Sequence, residues 1–173
     1  MQNDPFSPAA IKAALAPELF ALYATNFAVD ILFYASSLSG SYNSEWYKGL
    51  RKAGLSSYLV DAAWIIADIL SYGATIFLWG DSPASIEQRA VILNLYLGSN
   101  FLNLLWGVTF WQGNNLPLAT WIAALLFIYN FYILVYIFRV NPWAALFLLP
   151  LILMYAYLFY SMVHLANLNG IIL

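Results

Sequence analysis

Residues 118–165 read LATWIAALLFIYNFYILVYIFRVNPWAALFLLPLILMYAYLFYSMVHL, and Arg139 is the only Asp, Glu, Lys or Arg among them. A helix crossing the hydrocarbon core of a bilayer needs roughly 20 mostly apolar residues. The stretch holds two such helices, from about Leu118 to Phe138 and from about Trp143 to Leu165. Arg139, Asn141 and Pro142 make the turn between them, and a turn this short implies antiparallel neighbours.

Working outward, the same reading finds three more spans: about Leu19 to Leu38, Tyr58 to Trp79, and Val91 to Trp111. The separators agree. Ser39-Gly40-Ser41 and the charged stretch Lys48 to Lys52 lie between the first two spans, and Gly80-Asp81-Ser82-Pro83 ends the second. Gly113-Asn114-Asn115 with Pro117 forms a second tight turn, and the residues from Ser82 to Glu87 are cap-like ahead of the third span. The expected fold is an all-α membrane protein, a single domain over residues 1–173 with five transmembrane helices. The loop from about Ser39 to Ser57 is expected to fold over one end. The first hydrophobic stretch lacks a small-residue cleavage site and reads as a retained helix rather than a signal peptide.

Composition supports this class. Apolar residues make up 64% of the chain and charged ones 8%, against about 25% charged in an ordinary soluble domain. So few charges would not cover a soluble surface. With a formal net charge of −2 and no basic stripe, nucleic acid is excluded as a partner. The absence of cysteine removes disulfides, zinc–thiolate sites and iron–sulfur clusters. Positive charges tie across the two sides, with the compact Lys48–Lys52 cluster marking its side as the cytoplasmic one.

Polar residues at membrane depth need a reason, because a carboxylate there costs a few kcal/mol or more. Asp61, Trp64 and Asp68 share one face of the second span at i, i+3, i+7. Asn100, Asn103 and Trp106 repeat the pattern on the third, and Asn26 and Asp30 share a face of the first. Two readings stand: one polar, aromatic-lined cavity, or hydrogen-bonded glue between helices. Ala63, Ala67 and Ser71 beside that face read as a packing seam. His164, the only histidine, has no local metal-binding companion and reads as a residue near the membrane surface. No phosphate loop, nucleophile elbow or metal-spaced cluster is present, so the chain shows no catalytic signature.

Several short motifs follow one another at fixed spacing. Trp46-Tyr47-Lys48-Gly49-Leu50-Arg51-Lys52 resembles a W-Y-x-x-L-x-K stretch. Leu102-Asn103-Leu104-Leu105-Trp106, followed by Phe110, resembles L-N-x-x-W and its trailing aromatic. Phe138-Arg139, Ala144, Leu148-Leu149-Pro150 and Leu168-Asn169 complete the order. In this order the chain resembles the TspO/MBR family, the translocator proteins and tryptophan-rich sensory proteins, from about Trp46 to Asn169. The chain departs from the family pattern at several positions. Lys52-Ala53 stands for a K-P pair, Ser99 for a Gln, Met154 for a Trp and Met162 for an Asn.

The resemblance implies a TspO-like bundle with a pocket capped by the first loop. That pocket would take porphyrins or other tetrapyrroles, or a sterol-like ligand, for sensing, transport or receptor use, with no covalent cofactor. Trp46, Trp64, Asn103, Trp106 and Trp143 are the expected pocket residues, with Asp68 as a further polar contact. A porphyrin presents an aromatic face to indoles. Its carboxylates need cationic partners such as Arg51 and Lys52 at the mouth. The expected surroundings are membrane lipids, bacterial or mitochondrial, and a homodimer or a larger membrane complex, with Ser99, Asn103 and Gly107 as a candidate seam. The competing readings are a non-catalytic accessory or scaffolding subunit of such a complex, and a small transporter using Asp30 and Asp68. The second is disfavoured by the lack of an internal repeat.

Overall fold

The computed structural model describes residues 17–36, 45–50, 57–80 and 84–173. They form α1 (Pro17–Ser36), the short α2 (Glu45–Gly49), α3 (Ser57–Gly80), α4 (Ile86–Gly107), α5 (Leu116–Val140) and α6 (Pro142–Leu168). A π-helical turn, Val108–Gln112, continues α4. No strand occurs among the described residues.

The ends of the helices follow from single residues. Ser85 caps α4, its hydroxyl accepting from the Gln88 backbone while the Gln88 side chain accepts from the Ser85 backbone. This reciprocal box satisfies two otherwise orphaned N–H groups, and it starts the helix five residues ahead of Val91. Asn115 caps α5 through Leu118 N–H, with Pro117 in its first turn. Asn141 closes α5 through its backbone N–H to Ile137 and opens α6 by accepting from Trp143 and Ala144. Pro150 sits inside α6, where it removes one backbone donor, and the helix runs on through it.

Helices α3 to α6 are each long and apolar enough to cross a membrane, α4 together with its π-turn, while α1 carries a shorter apolar stretch, Leu19–Val29. The bundle is a ring. α6 packs against α5 and α3, α5 against α4, and α4 against α1. Tyr23 of α1 closes the ring on α3, with its ring edge-on to Tyr72 at 5.0 Å and its hydroxyl bonded to Thr75 at 2.6 Å. Helices consecutive in sequence run antiparallel, as their short turns imply. Five alternating helices in a closed ring leave one pair parallel, and that pair is α1 and α4.

The core falls into two clusters along the bundle axis. At the end covered by α2, the loop end, the buried residues include Ala67, Trp106, Phe110, Trp111, Ala119, Ala123, Tyr155 and Met162. At the other end, beside Asn141, they include Leu19, Leu22, Ala74, Leu78, Ile92, Tyr96, Ile133 and Ala144. Of the small-residue seam expected on α3, Ala67 and Ser71 are buried and Ala63 is half-buried, while Ala74 extends the buried face. The three buried residues lie where α3 meets α6, and a Cβ on Gly73 would lie 3.0 Å from the Phe147 ring.

Candidate functional site: an aromatic cluster under the first loop

The loop end is organised around Phe110. Its ring lies edge-on to Trp46 at 5.5 Å and to Tyr47 at 6.3 Å, both from α2. It stacks on Trp106 at 5.5 Å with 7° between the planes, and meets Trp111 edge-on at 4.7 Å. Tyr47 closes the group against Trp111 at 5.1 Å. Trp64 of α3 contributes to the same cluster through Tyr155 of α6, at 5.2 Å and 74°. Each such pair is worth about 0.5–1.5 kcal/mol beyond the area it buries. α2 therefore has enough ring contacts to be held on the bundle.

The π-turn explains how so many rings reach one place. On a regular α-helix three successive residues sweep about 200°, so one of them must point outward. Thr109, Phe110 and Trp111 are all buried. The wider turn brings all three inside, a use for which π-turns recur at functional sites. A tight connection follows it. Gly113 N–H bonds to Val108 O at 2.9 Å, Asn115 N–H bonds to Thr109 O at 3.2 Å, and Asn114 takes a left-handed φ of 50°. A Cβ on Gly113 would lie 2.8 Å from the Thr109 carbonyl oxygen, so glycine is required there.

Among the expected site residues, Trp46, Trp64 and Trp106 are brought together here. Asp68 and Asn103 lie half-buried on α3 and α4. Trp143 does not join them. It is 68% exposed in the first turn of α6, at the far end of the bundle, where Ala144 and Ala145 take the buried face. It has the placement of an interface anchor, as does Trp121 near the start of α5 at the other end, 62% exposed. Arg51 and Lys52 lie outside the described residues, as do the side chains of Asn26, Asp30 and Asp61. His164 stacks flat on Tyr160 at 6.0 Å. Among the described residues no group of His, Asp or Glu is placed to hold a metal.

The candidate dimer seam on α4 is used within the chain. Gly107 is buried, and Ser99 is buried with its hydroxyl donating to Asn130 Oδ1 at 2.9 Å. Asn130 in turn donates from Nδ2 to Leu126 O at 2.9 Å. This pair lies between the two core clusters and is of the interhelical-glue type.

Two members of the site were missed from the sequence, Tyr155 and Trp111. The signal for Tyr155 was the run Leu151, Tyr155, Leu158, Met162, Ala166, all buried at three- and four-residue spacing. Met154 and Met162, where the family pattern has Trp and Asn, both pack into the loop-end core, where flexible thioethers suit irregular spaces between rings. Electrically the cluster is quiet. Burial raises the Tyr47 phenol above its ordinary value, so it stays neutral and able to donate a hydrogen bond. The arrangement can stack on a flat aromatic ligand.

A family model described as the TspO/MBR family matches residues 19–167, nearly the whole chain. No curated protein matches it.

Proposed function

The chain belongs to the TspO/MBR family, and on that premise we propose that its loop-end aromatic cluster binds porphyrins or similar flat hydrophobic molecules within the membrane. The protein is an integral, multi-pass membrane protein, so a ligand of this kind reaches the bundle from lipid as well as from water. The observation that carries the reading is the convergence of Trp46, Tyr47, Trp106 and Trp111 on Phe110 under a short loop helix. A macrocycle that displaces α2 from this surface exchanges edge and stacked contacts with rings for stacked contacts with its own face. Walls that are apolar, with a few polar groups to fix orientation, are the usual composition of small-molecule sites. Asn103, Asp68 and the cations Arg51 and Lys52 are the polar groups assigned to that task. Sensing or transport would then consist of loading and unloading this surface as the loop opens.

Titrating the purified protein with protoporphyrin tests the proposal. Saturable quenching of tryptophan fluorescence is expected. Trp64→Phe and Trp106→Phe keep most of the bulk, so both should fold, bind several-fold more weakly and show less quenching. Binding as tight as the parent's in both variants would make these indoles packing alone. No quenching in the parent, together with stable co-purifying membrane proteins, would favour the accessory-subunit reading instead.

A further inference from the structure

At the end opposite the aromatic cluster, α5 and α6 part on their outer face. They leave a groove of about 240 Å³ lined by Phe131, Val135, Phe138, Leu146 and Leu149, with Arg139 at its mouth. From Phe131 to Arg139 the helix rises about 12 Å at 1.5 Å per residue, so the groove runs from the membrane surface well into the hydrocarbon region. Trp143, exposed in the first turn of α6 just across the Asn141 turn from Arg139, marks the level of the interface.

Two cations sit at this end among the described residues, and they differ. Arg89 lies over the Trp79 ring at 5.7 Å and is engaged. Arg139 is exposed, and among the described residues no carboxylate pairs with it. Its aliphatic stem lines the apolar groove while the guanidinium stays at the surface. A planar guanidinium matches the oxygens of a phosphate.

We propose that this groove holds one net-anionic glycerophospholipid, with its phosphate on Arg139 and one acyl chain along Phe131, Val135, Leu146 and Leu149. The charge selects the occupant. A second copy of the chain or a bare hydrophobic helix would fill the apolar part and leave the guanidinium unanswered. A phospholipid without a compensating cationic headgroup answers both. The site is independent of the porphyrin proposal and lies at the other end of the bundle.

The test is native mass spectrometry of the full chain released from detergent after equilibration with equimolar phosphatidylglycerol and phosphatidylcholine. One retained phosphatidylglycerol, about five- to tenfold over phosphatidylcholine, is expected. Arg139→Gln should reduce phosphatidylglycerol to the phosphatidylcholine level, and Arg139→Lys should keep most of the preference. Leu146→Trp, which fills the groove and leaves the charge, should lose both lipids while helical circular dichroism is unchanged. Equal retention of the two lipids by the parent overturns the proposal. So does an unchanged preference in Arg139→Gln or in Leu146→Trp. A lipid-free dimer that Leu146→Trp dissociates would assign the groove to a second copy, and overturns it too.

Discussion

The two ends of the bundle bury their residues by different means. At the loop end, rings meet rings and carry most of the polar atoms as indole N–H groups and phenols on large apolar bodies. Towards the Asn141 end, the buried core is mainly aliphatic, with Trp79 and Tyr96 as its buried rings, and helices are also joined by specific hydrogen bonds. Thr75 donates its single proton to Tyr72 O at 2.7 Å, so Tyr23 is the donor in the 2.6 Å contact with Thr75. Ser99 and Asn130 form the matching bond between α4 and α5. Lipid gives helices no hydrophobic reason to associate, so close packing and interhelical hydrogen bonds must do it. A hydrogen bond admits one partner geometry. Ring-on-ring contacts tolerate replacement of one ring by another, including a ligand's. The difference therefore separates a fixed end from an exchangeable one.

The largest expected effect comes from removing the centre of the exchangeable end. Phe110→Ala takes away four ring contacts and should cost about 3 kcal/mol. It should lower the thermal midpoint in detergent and abolish saturable porphyrin quenching together. Gly113→Ala comes next. The added Cβ meets a backbone oxygen rather than a flexible side chain, so the π-turn must shift, at about 1–3 kcal/mol. Near-ultraviolet circular dichroism should show the rearranged indoles, and porphyrin affinity should fall.

At the fixed end the effects are smaller and of another kind. Ser99→Ala leaves Asn130 its bond to Leu126 and should cost about 0.6 kcal/mol and at most about 1.7, the average and maximum for such bonds in membranes. Tyr23→Phe removes one donor and leaves Thr75 bonded to Tyr72, so about 0.5 kcal/mol is expected. Neither should change porphyrin quenching. Should Ser99→Ala destabilise more than Phe110→Ala, or Tyr23→Phe weaken quenching as much as Trp106→Phe, the division between the two ends is not the one described.

Much of this architecture was legible in the sequence. Apolar runs and their turn residues give the helices, because span length is set by the bilayer and not by any partner. The Trp46, Trp64 and Trp106 grouping was legible from helical spacing and motif order. Asn130 was not, because its partner sits on another helix and no local pattern points to it; the spacing around Tyr155 marks a buried face but not the Trp64 ring that it meets. Facing was harder still. In lipid the outer surface is as apolar as the core, and Phe101, Ile128 and Leu153 are exposed while Ile133 and Leu148 are buried. Periodicity that sorts inside from outside in a soluble helix is blunt here. The π-turn was invisible for a related reason, since Val-Thr-Phe-Trp-Gln fits an ordinary turn equally well. Trp143 shows the converse limit, because a Trp at a helix start suits an interface as readily as a pocket.

Asn141, the one residue between α5 and α6, also bears on how the protein is made. With no slack between them, α5 and α6 cannot lie far apart in the bilayer. The ribosome adds the 27 residues of α6 at about 5–20 residues per second, a delay of roughly one to five seconds. With so short a connection the pair is expected to enter lipid as a hairpin. Lengthening this connection with a flexible linker would uncouple the two insertions, and the order of biogenesis would become a matter of chance.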